Sequence, residues 1–159
     1  MRSSRRIDYR KSVHHVSLPT TMRYIILALA IAGVVVSSMA LPLHYSTAAA
    51  PCDINAHWDC GTVNHSSFST IGKVPVAVLG IVGYLALGGL SLARQRFLTF
   101  LAAFAGFLFA FRLSMIEEYG LGVWCLYCAI SQGIIALILL LSLAWFTAEY
   151  IALKRTARR

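Results

Sequence analysis

Four cysteines are the residues of this chain whose type and spacing could do redox chemistry, and they occur as two pairs. Cys52 and Cys60 are separated by seven residues, whereas Cys125 and Cys128 form a Cys-x-x-Cys motif. A thiolate is both the nucleophile of disulfide exchange and a metal ligand. The pairs therefore predict structural disulfides, a metal site or a thiol–disulfide exchange centre. Which of these applies depends on the segments in which the cysteines lie.

The cysteine pairs lie next to apolar segments that are long enough to cross a membrane, which takes roughly 20 residues. Four such runs occupy residues 22–41, 74–92, 97–116 and 126–148. The chain is 58% hydrophobic and only 13% charged, whereas soluble domains average about a quarter charged residues. Because a backbone in lipid must satisfy its hydrogen bonds internally, the sequence predicts an all-α integral membrane protein.

The connections between the runs predict how the helices are arranged. The links after the second and third runs are short, and short links force neighbouring helices to be antiparallel. We therefore expect an up-down bundle of four transmembrane helices, with a cysteine-bearing outer loop at residues 42–73 between the first two. Glycines in the second run would allow close helix approach; they are Gly80, Gly83, Gly88 and Gly89.

The distribution of charge indicates how the bundle is oriented. Basic residues cluster in the N-terminal arm, in the link at residues 94–96 and in the C-terminal tail, which four spans place on one side. Most acidic residues fall on the other side: Asp53, Asp59, Glu117 and Glu118. Cytoplasmic segments are enriched in Lys and Arg, so we expect both termini in the cytoplasm and all cysteines on the outer face of the cell (inner) membrane. The net charge of +8 thus orients a membrane protein, and we predict no nucleic-acid binding.

The first run is predicted to be a retained span rather than a cleaved signal peptide. An Ala-Ala-Ala stretch at residues 48–50 would suit a signal peptidase, and Pro51 follows it directly. The run, however, exceeds the usual signal-peptide core of roughly 7–15 residues. The predicted organisation is a basic cytoplasmic arm at residues 1–21, a membrane domain at 22–150 and a basic cytoplasmic tail at 151–159.

Spacing disfavours two of the alternatives for the cysteines. Zinc sites usually combine two closely spaced ligand pairs, whereas Cys52 and Cys60 are seven residues apart and the outer compartment oxidises thiols. Attachment of c-type haem needs a histidine directly after Cys-x-x-Cys, and here Ala129 follows the motif. We therefore expect no bound metal. A structural disulfide remains an open alternative for Cys52 and Cys60.

The position of Cys125 and Cys128 favours exchange chemistry at that pair. The motif opens the fourth run, and a helix N-terminus lowers the pKa of a nearby thiol. A lowered pKa stabilises the thiolate and makes it a better leaving group. At a rise of ~1.5 Å per residue, Cys125 lies at the mouth of the span and Cys128 about one turn deeper. The outer sulfur can then meet another sulfur, while the inner one meets a molecule dissolved in the membrane.

Three stretches carry a family resemblance: "CDINAHWDC", "GTVNHSSFSTIGKVPVAVLGIVGY" and "WCLYCAIS". These stretches, and the order in which the two cysteine pairs occur, closely resemble the sequences of the vitamin K epoxide reductase family. The resemblance extends from the first span to the end of the fourth. The resemblance implies a membrane thiol oxidoreductase that passes electrons from a reduced protein to a membrane quinone (ubiquinone or menaquinone) and so supports disulfide bond formation. Many bacterial relatives carry a fused thioredoxin-like domain; we expect none here and a separate thioredoxin-fold (DsbA-like) partner instead.

The resemblance assigns a role to each cysteine. Cys125 and Cys128 match the active-site pair of the family, with Cys128 facing the quinone. Cys52 and Cys60 match the loop pair that relays electrons, with Cys60 expected to exchange with Cys125. Ser66 matches a Ser or Thr of the loop helix that takes part in this exchange. These five residues are the predicted catalytic set.

The resemblance also implies which residues bind the quinone, namely Cys128, Trp124, Val76 and Gln132. Trp124, inside the "WCLYC" stretch, could cap the quinone pocket. Vertebrate members have an asparagine near the position of Val76 and a tyrosine near that of Gln132, both associated with the quinone-type substrate. Because both are absent here, vitamin K epoxide itself is disfavoured as the substrate.

A rival class is a non-enzymatic four-helix membrane protein, either a scaffold or a small transporter, whose loops are held by structural disulfides. Reduction of a quinone by a dithiol protein would distinguish an enzyme from this class. Arg112, a charged residue near the end of the third run, is expected to extend to the membrane surface or to pair with Glu117 or Glu118.

Overall fold

The computed structural model describes residues 4–46 and 50–157, and within them five α-helices and one two-stranded hairpin. The helices are α1 (Ser4–Tyr45), α2 (Cys60–His65), α3 (Val76–Leu92), α4 (Arg96–Ile116) and α5 (Leu126–Ala157). The hairpin pairs β1 (Thr70–Ile71) with β2 (Val74–Pro75) in antiparallel register. A 3₁₀ turn, Ser67–Ser69, precedes the hairpin, and a π-helical turn, Glu117–Leu121, ends α4.

The long helices form an all-α membrane bundle, as the sequence predicts. Three segments are long and apolar enough to span a membrane: Thr20–Tyr45, Arg96–Leu121 and Leu126–Ala148. The fourth helix, Val76–Leu92, has 17 residues and is about 25 Å long at ~1.5 Å per residue, the short end of the range for a span. Large apolar side chains on all four helices are exposed, among them Val35, Val82, Leu108 and Leu140. Such a surface is stable in lipid rather than in water.

The middle of the bundle holds one apolar core. Its buried side chains include Ile26 of α1, Leu87 of α3, Ala103 of α4 and Ile138 of α5. Within this arrangement α1 packs against α3 and α5, and α4 packs against α5. The core therefore joins all four long helices, which carry the cysteine-bearing segments at one end of the bundle.

The first helix is longer than the sequence predicts. It begins at Ser4 and ends at Tyr45, so the predicted arm at residues 1–21 is helical from Ser4 onwards and the outer loop begins after Tyr45 rather than at residue 42. Residues 1–3 of that arm, residues 48–49 of the Ala-Ala-Ala stretch and residues 158–159 of the tail lie outside the described residues.

Helices α1 and α3 approach closely where Gly33 faces Tyr84. A Cβ at Gly33 would lie 2.5 Å from the Tyr84 ring. Tyr84 in turn donates a hydrogen bond of 2.9 Å from its hydroxyl to the backbone oxygen of Ser131 on α5. The missing side chain of Gly33 therefore lets a tyrosine lie between three helices. The sequence offered no sign of which residue of α3 would face this glycine.

The predicted small-residue contacts of α3 are found at two of the four glycines. A Cβ at Gly80 would lie 2.7 Å from Ser37 Oγ, and one at Gly88 would touch α1 side chains at 3.4 Å and beyond. At Gly83 and Gly89 a Cβ would meet no described atom within 4 Å. The first two glycines thus serve helix packing.

Replacing Gly33 by alanine is expected to destabilise the protein, because the new methyl group overlaps the Tyr84 ring and overpacking typically costs about 1–3 kcal/mol. Gly89→Ala is the matched control. It adds the same group where no described atom is near, and alanine is favoured over glycine in a helix by about 1 kcal/mol. Thermal unfolding in detergent checks the pair. Equal melting temperatures for the two variants would contradict the Gly33–Tyr84 contact.

Candidate redox site

The loop pair is joined in a disulfide that closes a compact turn. Cys52 and Cys60 are bonded, with their Cα atoms 5.8 Å apart. The Asp53 carboxylate accepts hydrogen bonds from the backbone N–H groups of Ala50 at 2.8 Å and Gly61 at 3.1 Å. These contacts tie the two ends of the turn together around the sulfurs.

The loop helix α2 starts at Cys60 because Asp59 caps it. The Asp59 carboxylate accepts from the backbone N–H of Thr62 at 2.8 Å and from the Thr62 hydroxyl at 2.7 Å. These hydrogen bonds, the backbone one first, lower the pKa of Asp59, as expected for a capping carboxylate that must be ionised to accept them. The cap orients Cys60 as the first residue of the helix.

One group near the loop has the residue types of a metal site. Ligand atoms of Cys52, Asp53 and Cys60 lie within 4.8 Å of one another. Both sulfurs, however, are consumed by the disulfide, and the Asp53 oxygens accept backbone hydrogen bonds. Cysteine binds a metal as the thiolate. The donors of this oxidised loop therefore do not fit a metal ion.

A short backbone bridge holds the loop beside the start of α5. Trp58 and Trp124 pair as a parallel β-bridge. The Asp59 N–H donates to the Trp124 oxygen at 3.1 Å, and the Trp124 N–H donates to the His57 oxygen at 2.8 Å. The Trp124 indole also donates to Glu118 Oε2 at 2.7 Å. Since Cys60 follows Asp59 and Cys125 follows Trp124, the bridge sets the two cysteine pairs side by side.

All four cysteines lie in one cluster. Cys52, Cys60 and Cys125 are at most 2% exposed and belong to the same buried group, with Cys128 packed against it. Asn64 spans the two pairs, because its Nδ2 donates to the Cys60 backbone oxygen at 2.8 Å and lies 3.8 Å from Cys125 Sγ. The fold thus brings together two pairs that are 65 residues apart between Cys60 and Cys125.

The free cysteines, Cys125 and Cys128, are electronically different. A hydrogen bond from the Cys128 thiol, aided by backbone N–H groups at the start of α5, lowers the pKa of the Cys125 thiol, although burial and the negative charge of Glu117 oppose the effect. The Cys125 thiol is therefore more readily ionised than an ordinary cysteine. Cys125 is also the free cysteine that lies in the buried cluster with Cys60.

Glu117 is a buried carboxyl group in contact with both free cysteines. It is 3% exposed, and its Oε2 accepts from the Cys125 backbone N–H at 3.1 Å. The Cys128 thiol also lies within hydrogen-bonding reach of this carboxylate. Of the two roles expected for Arg112, the pair with Glu117 or Glu118 is not found among the described residues: Glu117 binds the Cys125 N–H and Glu118 the Trp124 indole. Arg112 is exposed, and its extension to the membrane surface stays a prediction.

A cavity of about 480 Å³ extends from this cluster between α1, α3, α4 and α5. Its wall is mostly aliphatic, and binding sites for small molecules commonly measure about 300–1,000 Å³ with a few convergent polar groups. The polar lining residues include His44, Asn64, Ser66, Tyr84, Glu117 and Cys128. Cys125 does not line the cavity, so the two sulfurs of the motif face different neighbours.

Two cysteine pairs gathered at one end of a membrane bundle, next to an apolar cavity, have a counterpart among known families. The sequence model of the vitamin K epoxide reductase family matches residues 24–143, which is most of the chain and includes all four cysteines. The chain belongs to the vitamin K epoxide reductase family. A search of the curated proteins found no match. Membership confirms the predicted resemblance, the membrane-bundle fold and a redox activity for this chain.

The structure places some of the residues that the vitamin K epoxide reductase resemblance singled out at the cavity. Cys128, Val76 and Ser66 line it, and the Ser66 hydroxyl donates to the Val63 oxygen at 2.8 Å at the end of α2. Trp124 lies in the bridge to the loop, outside the cavity wall. Gln132 is also absent from the wall, and its buried Oε1 has no hydrogen-bond partner among the described residues.

Three polar residues of the site, Asn64, Glu117 and His44, were not predicted from the sequence. Asn64 and Glu117 contact the cysteines, and the His44 Nδ1 lies 2.8 Å from the Asn64 backbone oxygen. Glu117 was interpreted only as a partner for Arg112. Their spacing along the chain shows no motif, and only their burial at the cavity marks them. The one feature of the sequence that distinguishes Glu117 is its position eight residues before the first cysteine of the motif.

Proposed function

We propose that this protein is a membrane thiol oxidoreductase that passes electrons from a reduced thioredoxin-fold protein to a membrane quinone. The observation that carries the proposal is the single buried cluster of four cysteines, from which Cys128 alone faces an apolar cavity of about 480 Å³. A thiol that is exposed only to an apolar cavity between transmembrane helices is placed to react with a lipid-soluble oxidant rather than with a protein.

Electrons enter at the loop pair. A thiolate of the partner attacks the Cys52–Cys60 disulfide at Cys52, which releases Cys60 as a thiolate, and the second partner thiol then resolves the mixed disulfide. The partner leaves oxidised and the loop is left as a dithiol. In support of this route, exposed residues surround the disulfide on the loop surface, among them Pro51, Asp53 and Ile54.

Exchange between the two pairs carries the electrons inward. When Cys125 and Cys128 are joined, the Cys60 thiolate attacks the Cys125 sulfur and Cys128 leaves; Cys52 then attacks Cys60 and frees Cys125. The described structure, with the loop oxidised and the second pair reduced, corresponds to the state after this exchange. The pKa of Cys125, lowered by the hydrogen bond from the Cys128 thiol, suits a sulfur that must repeatedly act as nucleophile and leaving group.

At the cavity the reduced pair gives up two electrons and two protons, forms the Cys125–Cys128 disulfide and converts a quinone to its quinol. Cys128 and Val76 are the wall residues proposed to contact the ring. The wall near Val76 is apolar. Ubiquinone and menaquinone both fit this chemistry as two-electron acceptors.

The cysteine end of the bundle is proposed to face the outer compartment, with both termini in the cytoplasm. The support is the position of the basic clusters in the sequence. Disulfide exchange at this end would then oxidise secreted proteins, which is consistent with the compartment in which disulfides persist.

The test uses sealed, right-side-out membrane vesicles that contain the protein and a quinone. A reduced thioredoxin-fold protein added outside is expected to be oxidised as quinol forms in equal amount. Inverted vesicles are expected to be inactive, because the added protein cannot reach the loop. Absence of quinol formation from either side would leave the scaffold or small-transporter alternative, and activity only in inverted vesicles would reverse the proposed orientation.

A further inference from the structure

Proton transfer at the cavity needs a group that the cysteines themselves do not supply. Conversion of a quinone and two thiols to a quinol and a disulfide moves two protons along with two electrons. Cys125 is 0% exposed, and Cys128 opens onto an apolar cavity between the helices. Neither sulfur is freely exposed, so a side chain that carries the proton between sulfur and oxygen would speed the reaction.

The π-helical turn at Glu117–Leu121 sets a carboxyl group at this position. The turn follows α4 directly, and Gly122, at a φ of 68°, then reverses the chain towards Cys125. The left-handed conformation at Gly122 is one that glycine adopts without strain. As a result the Glu117 carboxylate lies at the start of α5, bonded to the Cys125 N–H at 3.1 Å, within reach of the Cys128 thiol and in the cavity wall.

We propose that Glu117 is a catalytic residue that accepts the proton of the Cys128 thiol and delivers it to a quinone oxygen in the cavity. This inference rests on the proposed function. Before the reaction, Cys125, Cys128 and Glu117 together hold two protons. Afterwards the sulfurs share a disulfide bond, Glu117 is a carboxylate, and both protons and both electrons reside on the quinol.

Other titratable groups at the cavity are engaged elsewhere. His44 of α1 uses its Nδ1 on the Asn64 oxygen, and Tyr84 of α3 donates to Ser131. Tyr127 of α5 lines the cavity as well. Among these groups, Glu117 is the one whose side chain accepts a hydrogen bond from the Cys125 N–H, at 3.1 Å. Its neighbour Glu118 is exposed and accepts from the Trp124 indole, which makes Glu118 the matched control.

The test is single-turnover reduction of a short-chain quinone by the full-length, pre-reduced protein in detergent. Glu117→Gln keeps an oxygen for the Cys125 N–H but cannot carry a proton, so it is expected to slow quinol formation roughly 100-fold at neutral pH, the low end for loss of general acid–base catalysis. Its rate should rise about tenfold per pH unit as hydroxide takes over the base role. Glu118→Gln should react as the wild type does, and Glu117→Asp should recover part of the rate.

A second measurement separates catalysis from folding. Glu117→Gln combined with Cys128→Ser is expected to form the Cys60–Cys125 disulfide as readily as Cys128→Ser alone, because that exchange involves no quinone. If it does not, Glu117 is a structural support of the Cys125 turn and the inference is overturned. A wild-type rate and pH profile for Glu117→Gln overturns it as well, while the proposed function stands. A wild-type protein that forms no quinol overturns the proposed function itself.

Discussion

Cys128→Ser is expected to accumulate a disulfide between Cys60 and Cys125. Cys125 can attack the loop disulfide at Cys60 and release Cys52 as a thiol, an exchange that needs no outside oxidant. In the wild-type protein either Cys128 or Cys52 can open this bond; without Cys128 only the attack of Cys52 on Cys60 remains, so the cross-linked form accumulates and is captured when free thiols are alkylated. Both sulfurs are buried in the same cluster, and the Asn64 amide that contacts the Cys60 oxygen and Cys125 Sγ holds them in register. Mass mapping of unreduced peptides should find the cross-link in most of the protein.

The reciprocal variant, Cys125→Ser, is the matched control for this assignment. It leaves Cys128 alone at the cavity wall and should form no cross-link to Cys60, because Cys128 faces the cavity. With a quinone added, its thiolate should give a visible charge-transfer absorbance that fades as the pH falls and the sulfur is protonated. If Cys125→Ser instead traps the loop cysteine and Cys128→Ser shows the absorbance, the roles of the two sulfurs are reversed.

Cys52→Ser and Cys60→Ser are expected to abolish oxidation of a protein partner but to spare quinone reduction driven by a small dithiol. A folded partner meets the loop, where exposed residues flank Cys52, whereas Cys125 directly precedes the transmembrane helix α5. A small dithiol can reach the second pair through local opening of the loop. With the protein partner as reductant, quinol formation should be lost completely, because no other pair of cysteines can pass its electrons to Cys125.

The measurement compares quinol formation with the two reductants on the same preparation. The matched control is Asp53→Asn, which alters the loop beside the disulfide but keeps both cysteines and an oxygen for one of the two backbone contacts, at Ala50 or at Gly61. It should retain oxidation of the protein partner. Normal oxidation of that partner by Cys52→Ser or Cys60→Ser would show that the loop disulfide is a structural staple.

The sequence alone determined the class and the fold. Apolar runs of span length and short links predict a membrane bundle whatever the details of packing, because hydropathy and loop length act locally along the chain. The resting disulfide between Cys52 and Cys60 was left open by the sequence and is given by the structure. The different roles of Cys125 and Cys128 stay predictions, which the two serine variants test.

The side-chain contacts that surround the cysteines can be seen only in the tertiary structure. Glu117 and Asn64 carry no motif, and their roles depend on a π-helical turn and on a backbone bridge between Trp58 and Trp124. That bridge also holds Trp124 against the loop. A side chain's neighbours from distant segments depend on how whole helices pack, and no local pattern of residues records that packing. For the same reason Gly33 shows its importance only when the Tyr84 ring is seen against it.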